Sequence, residues 1–107
     1  MLIYVASRYG KDSASIERAK KITNSLQTKD LANCYISPVL VFSHLNTRQI
    51  DYDDELELRL DLLSGADRLI IADAISEGIR TEVDFAKLVK MEVMRLDENG
   101  ELRPFTE

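Results

Sequence analysis

One carboxylate sits where an apolar side chain belongs. From Ser76 to Val89 apolar residues recur at helical spacing, and at about 100° per residue Ile79, Val83, Phe85, Ala86 and Val89 share one arc. Arg80, Asp84 and Lys87 fall on the other side, and Glu82 lies in the middle of the apolar arc. A carboxylate there has two readings. It is structural, hydrogen-bonded to backbone or paired with an arginine, or it is a positioned nucleophile or base. Just upstream, Ser76-Glu77-Gly78 offers a hydroxyl, a residue without a side chain and free N–H groups at a helix N-terminus. That set accepts an anion, and Ser76 is equally an ordinary helix cap.

Other residues able to do chemistry are few. Ser7-Arg8-Tyr9-Gly10 puts a hydroxyl, a guanidinium and an aromatic after a first strand, where phosphate or sugar contacts are common. Neither GxGxxG nor GxxxxGK[ST] occurs, so no nicotinamide enzyme or P-loop nucleotidase is expected, and no cofactor. His44 is the only histidine and no other His or Cys stands near it at ligand spacing, so no metal site is expected. It reads as a loop histidine or as a pocket residue. Asp51, Asp53, Asp54, Glu55, Glu57 and Asp61 scatter around a helix and read as a solvated face rather than a calcium loop.

The elements that must position these groups alternate. Leu2 to Ala6 is a strand, and Ile16, Ala19, Ile22 and Leu26 mark a helix capped by Asp12 or Ser13. Tyr35 to Phe42 reads as extended, Asp54 to Leu63 as helix, Arg68 to Ala72 as strand, Ser76 to Val89 as helix and Glu92 to Leu96 as strand. Asp97-Glu98-Asn99-Gly100 is a turn, and 98–107 reads as a short polar tail. Ile3 to Ala6 and Leu69 to Ala72 are continuously apolar, the mark of a parallel sheet covered on both faces. The expected fold is therefore α/β, a three-layer flavodoxin/Rossmann-like sandwich with a mainly parallel sheet of four or five strands, one domain over 1–107. Ligands in such sheets sit beyond the carboxyl ends of the strands, which selects Ser7 to Asp12, Ser43 to Asn46 and Asp73 to Gly78 as site segments.

Composition narrows the partners. The 107 residues carry 14 Lys+Arg against 19 Asp+Glu, a net charge of -5, which disfavours binding to a nucleic acid polymer through a general basic surface. The single Cys34 excludes an internal disulfide, points to a cytoplasmic setting and reads as a small buried hydrophobe. No apolar run nears the roughly 18 residues of a membrane span, and Met1-Leu2-Ile3-Tyr4-Val5 lacks the basic start of a signal peptide. A chain this short buries about two-thirds of its unfolded surface and has little wall to spare for an enclosed cavity. On the helix around Asp54 to Leu63, Leu56, Leu60 and Leu63 form one stripe and Leu58 and Leu62 a second. The second stripe predicts a homodimer or higher homo-oligomer. Arg59 lies between the stripes, a candidate partner for Glu82 or for an anionic ligand.

Together these residues resemble the nucleoside 2-deoxyribosyltransferase-like superfamily, which includes 2'-deoxynucleoside 5'-phosphate N-hydrolases and small phage and bacterial relatives. The resemblance spans about residues 2 to 96. Its anchors are Ile3-Tyr4-Val5-Ala6-Ser7-Arg8-Tyr9, Ser37-Pro38 with His44, Ala66-Asp67, and Ser76-Glu77-Gly78-Ile79-Arg80-Thr81-Glu82, which has the SxGxxxE spacing and is followed by Ala86. The resemblance implies that Glu82 attacks the anomeric carbon of a 2-deoxyribosyl group and expels the base, with Tyr4 beside it. It implies that Ser7 to Gly10, Ser76 and Gly78 hold the sugar of a nucleoside or nucleotide and, in the hydrolase branch, its 5'-phosphate. At the position of the family's second acidic residue this chain has Arg59. Asp61 points roughly 160° away around the helix, and Asp73 is the better-placed substitute. An Arg59–Glu82 pair is expected to lower the Glu82 pKa and blunt it as a nucleophile, which leaves ligand binding or sensing without turnover as the second reading.

Overall fold

The structure, a computed structural model, describes residues 1–10, 12–45 and 50–106. The chain runs β1 (Leu2–Ala6), α1 (Ser13–Lys29), β2 (Cys34–Ile36), α2 (Pro38–Val41), α3 (Tyr52–Ser64), β3 (Arg68–Ile71), α4 (Glu77–Leu88), β4 (Glu92–Leu96) and β5 (Leu102–Pro104). One five-stranded sheet has the order β2-β1-β3-β4-β5. β1 pairs in parallel with β2 and β3, β3 pairs in parallel with β4, and only β4–β5 is antiparallel. This is the mainly parallel α/β sandwich that the continuous apolar strands predict.

Strand alternation divides the core in two. Tyr4, Ala6, Leu69 and Ile71 face α3 and α4, where they meet Leu63, Ile79, Val83 and Ala86. Ile3, Val5 and Ile70 face the other way, toward Leu26 of α1 and Tyr35. Tyr4 lies level with Leu69 and Ile36 in the register, so its side chain enters the α3/α4 layer from the second strand of the sheet. At the amino edge, Asp67 clasps β1: its carboxylate accepts from the Leu2 N–H at 2.7 Å, and its own N–H donates to Leu2 O at 2.7 Å.

Three expectations are corrected. Tyr35 to Phe42 is not extended throughout: β2 stops at Ile36, and Ser37 caps the short α2, its hydroxyl accepting from Leu40 N–H at 3.4 Å. Pro38 takes the first helical turn, where no N–H is needed. The tail is not merely polar. The Asp97 carboxylate accepts from the N–H groups of Asn99 and Glu101 at 2.9 and 2.8 Å, Gly100 adopts φ 80°, and the chain returns as β5. Phe105 then packs against the α3/α4 core. Cys34 is exposed rather than buried, because it opens an edge strand. Among the described residues no helix is long and apolar enough to cross a membrane.

Candidate active site around Glu82

The site grows from two helix faces. Asp51 caps α3 by accepting from Asp54 N–H at 2.9 Å, and the helix then buries Glu55, Arg59 and Leu63, one residue per turn. Ser76 caps α4, its hydroxyl accepting from Ile79 N–H at 3.3 Å, and α4 buries Gly78, Ile79, Glu82, Val83 and Ala86. Gly78 leaves room for the α3 side chains that pack over it. A Cβ there would stand 3.1 Å from Arg59 Nη2, 3.3 Å from Arg59 Nη1 and 3.2 Å from the Tyr52 hydroxyl.

At the centre the Tyr4 hydroxyl donates a hydrogen bond to Glu82 Oε2. Glu82 Oε1 faces Arg59 Nη1 at 3.8 Å, and these two side chains are only 1% and 2% exposed. The Arg59 guanidinium carbon lies 4.2 Å from the centroid of the Tyr9 ring, a stacked cation–π contact, and 6.0 Å from that of Tyr52. Arg59 Nε, Ser7 Oγ and the Tyr9 hydroxyl are buried without a well-formed hydrogen bond. The Glu55 carboxylate nevertheless lies close enough to the Tyr9 hydroxyl to raise its pKa.

Burial dominates the electrostatics. It pushes the Glu82 carboxyl above its ordinary value, and the Tyr4 hydrogen bond and the Arg59 charge offset only part of that rise. The expectation that Arg59 leaves Glu82 with a lowered pKa is thus corrected: the arginine pulls in that direction, and desolvation outweighs it. Tyr4 is raised by burial, by the Glu82 charge and by donating to it, so it holds its proton. Tyr9 is pushed up to about 12, first by burial and then by Glu55, with Arg59 opposing.

Asp73 and Arg8 build a second place, at the carboxyl ends of β1 and β3. The Asp73 carboxylate accepts from Arg8 N–H at 2.7 Å and forms an ion pair with Arg18. Burial alone would raise its pKa, but the Arg18 hydrogen bond and the Arg8 N–H outweigh that and hold it below the usual range. Arg8, Asp73, Ala74, Ile75 and Ser76 line an open depression of about 340 Å3 beside the α4 N-terminus.

Of the residues singled out in the sequence, Tyr4, Tyr9, Arg59, Gly78 and Glu82 come together, and Arg8, Asp73 and Ser76 form the adjoining depression. Asp73 is committed to Arg18 and the Arg8 backbone and shares no hydrogen bond with Tyr4 or Glu82 among the described residues. Gly10 serves packing: a Cβ would lie 2.7 Å from Asp12 Oδ1 and 2.8 Å from Ser15 Oγ, over the start of α1. His44 is exposed in the turn after α2 and shares none of these contacts. Lys11 and Asn46 lie outside the described residues.

Two site residues were missed. Glu55, read as part of a solvated face, is 7% exposed, and the Tyr52 hydroxyl abuts Gly78. The available signal was spacing, since Glu55, Arg59 and Leu63 follow one another at intervals of four. Among the described residues no group of three or more His, Cys, Asp or Glu side chains is placed to hold a metal ion. In comparisons with known proteins, no family model and no curated protein matches the chain.

Proposed function

We propose that the protein breaks the N-glycosidic bond of a deoxynucleoside or deoxynucleotide, with Glu82 as nucleophile. The observation that carries this reading is the buried Tyr4–Glu82 hydrogen bond, in the second turn of α4. A carboxylate kept there against its desolvation cost is held in one orientation. Tyr4 occupies Oε2, and Oε1, which faces Arg59 Nη1 at 3.8 Å, is the oxygen that attacks the anomeric carbon once the arginine moves away. The base departs with the bonding electron pair, a glycosyl ester forms on Glu82, and water or a second base resolves it. Arg8 and the Ser76 end of α4 suit the 5'-phosphate of a nucleotide, with Asp73 fixing the Arg8 backbone. The sugar reaches Glu82 only when the Arg59–Tyr9 stack turns aside, because Glu82 is 1% exposed.

The same burial, together with the Arg59 ion pair, favours a second reading: a protein that binds or senses a nucleotide-derived ligand without turnover. Incubation with deoxynucleosides and their 5'-monophosphates, followed by chromatography for free base, separates the two. Base release that disappears in Glu82→Gln supports the enzyme. Thermal stabilisation by the panel without base release supports the binder.

Self-association belongs to the same proposal in a reduced form. Leu62 packs against the core, while Leu58 is 36% exposed and Tyr52 on the same helix 50% exposed. We infer that α3 contacts a second copy through Leu58, in a cytoplasmic setting consistent with the lone, exposed Cys34. Sedimentation of Leu58→Glu should shift toward monomer; a wild type already monomeric at assay concentration refutes this.

A further inference from the structure

The α3 helix carries five acidic residues within its span, and four of them, Asp53, Asp54, Glu57 and Asp61, are exposed as charged surface residues should be. Glu55 is withdrawn to 7% exposure on the face it shares with Arg59 and Leu63. Taking a carboxylate out of water is expensive, and such groups concentrate where chemistry needs them.

The surroundings of Glu55 repeat those of Glu82. Glu82 accepts a hydrogen bond from the Tyr4 hydroxyl, and Glu55 lies near the Tyr9 hydroxyl, though without a well-formed hydrogen bond from it. Arg59 joins the two halves, with Nη1 facing Glu82 and its guanidinium stacked on the Tyr9 ring. The site therefore holds two buried carboxylates near one arginine, Glu55 one turn before Arg59 on α3 and Glu82 facing it from α4. Glycosidic bonds are commonly broken by such a division of labour, in which one carboxylate attacks the anomeric carbon and the other carries the proton. In a nucleoside the proton is delivered to a ring nitrogen of the base, some way out from the anomeric carbon. That suits a second carboxylate such as Glu55, which lies in the first turn of α3, one turn nearer the start of that helix than Arg59.

We propose that Glu55 is the proton-carrying catalytic residue of this site. The proposal rests on the glycosidic reading above. As a Glu82 oxygen bonds to the anomeric carbon, the carbon–nitrogen bond breaks, its electron pair goes to the base, and the Glu55 carboxyl gives its proton to a ring nitrogen. In the second step water attacks the anomeric carbon and passes a proton to the Glu55 carboxylate, and the ester electron pair returns to Glu82. The sum is nucleoside plus water giving sugar plus base, and both carboxyl groups end as they began.

The test compares leaving groups that do and do not need a proton. 2'-Deoxyguanosine needs one, whereas N7-methyl-2'-deoxyguanosine already carries a positive base; each is assayed free and as the 5'-monophosphate. Glu55→Gln is expected to slow base release from the unmethylated substrates by about 10²-fold or more, and to leave the first-turnover release of methylated base within about tenfold of wild type. Glu82→Gln is expected to abolish both and supplies the background. Equal slowing of both substrates, or no slowing of either, overturns the assignment of Glu55 while leaving the glycosidic reading intact. A wild type that releases base from none of the four refutes the glycosidic reading and this assignment together. If Glu55→Gln does not fold, Glu55→Asp keeps the carboxyl one methylene shorter. It is expected to show the same bias between substrates in smaller measure, and its absence counts equally against the proposal.

Discussion

Arg59→Met tests the buried charge pair directly. The substitution keeps an unbranched apolar side chain in the slot between Tyr9 and Gly78 but removes the cation 3.8 Å from Glu82. Breaking a buried pair from one side costs about 3–5 kcal/mol, because the remaining charge has lost its compensation. Loss of the Tyr9 stack adds about 0.5–2 kcal/mol. Removal of the unpartnered Nε returns about 1–3 kcal/mol. The net expectation is a loss of about 3 kcal/mol, a large part of the roughly 5–15 kcal/mol that holds a domain together. The pH dependence has a definite sign. The folded-state pKa of Glu82 is already raised by burial, and losing Arg59 raises it further. A carboxyl with a raised folded pKa penalises folding only once it ionises. The deficit of Arg59→Met relative to wild type is therefore small below the ordinary glutamate range. It grows as pH rises through the raised Glu82 value. Urea unfolding followed by circular dichroism at acidic and neutral pH gives both quantities. Adding Glu82→Gln should recover about half of the loss at neutral pH, since no buried charge then remains unpaired. A single variant within about 1 kcal/mol of wild type at neutral pH, or a double variant no more stable than the single, would refute the role assigned to this pair.

Other outcomes follow from the same geometry. Gly78→Ala gains roughly 1 kcal/mol of helix propensity but sets a methyl 3.1–3.3 Å from a pinned guanidinium, so thermal unfolding should show a net loss of about 1 kcal/mol; a gain would mean that Arg59 moves freely. Tyr4→Phe leaves one Glu82 oxygen unpartnered and should cost about 1–3 kcal/mol in chemical denaturation, with no effect on the fold seen by circular dichroism. In a spectroscopic titration of tyrosinate, Tyr9 and Tyr35 should each ionise at about 12, and Tyr4 only as the chain unfolds. Because these values are raised from 10.0, their contribution to stability is complete below that pH and is lost as pH climbs above it. Unfolding midpoints that stay flat from neutrality through pH 11, with Tyr4 ionising in the folded state, would contradict this.

Much of the architecture was legible because it follows from local pattern. Continuous apolar runs over Ile3–Ala6 and Leu69–Ala72 mark buried parallel strands, and the cap residues Asp12 and Ser76 stand one residue before α1 and α4. Helical phase alone identified Glu82 and Arg59 as polar residues on inward faces. The failures have physical causes. Ser37-Pro38 serves a helix start as well as a break in a strand, and the choice depends on what packs around it. The hairpin to β5 is stabilised by pairing with β4 and by Phe105 on the core, contacts made across the fold rather than along the chain. Glu55 sits in an acidic run whose composition says surface, and it is buried because it shares the inward face of α3 with Arg59 and Leu63.

The sequence by itself determined the α/β order of elements, the parallel sheet covered on both faces, and the presence of a carboxylate and a guanidinium on inward helix faces. These follow from periodicity and capping, which act over a few residues. The tertiary structure alone decided which groups meet. Tyr4 reaches Glu82 across 78 positions of chain because its side chain enters the layer that α3 and α4 cover, and Arg59 reaches it from α3, which packs against α4. The protonation balance was decided there too. Local sequence indicates an arginine beside a carboxylate, whereas the direction of the Glu82 shift depends on how completely the assembled layers exclude water.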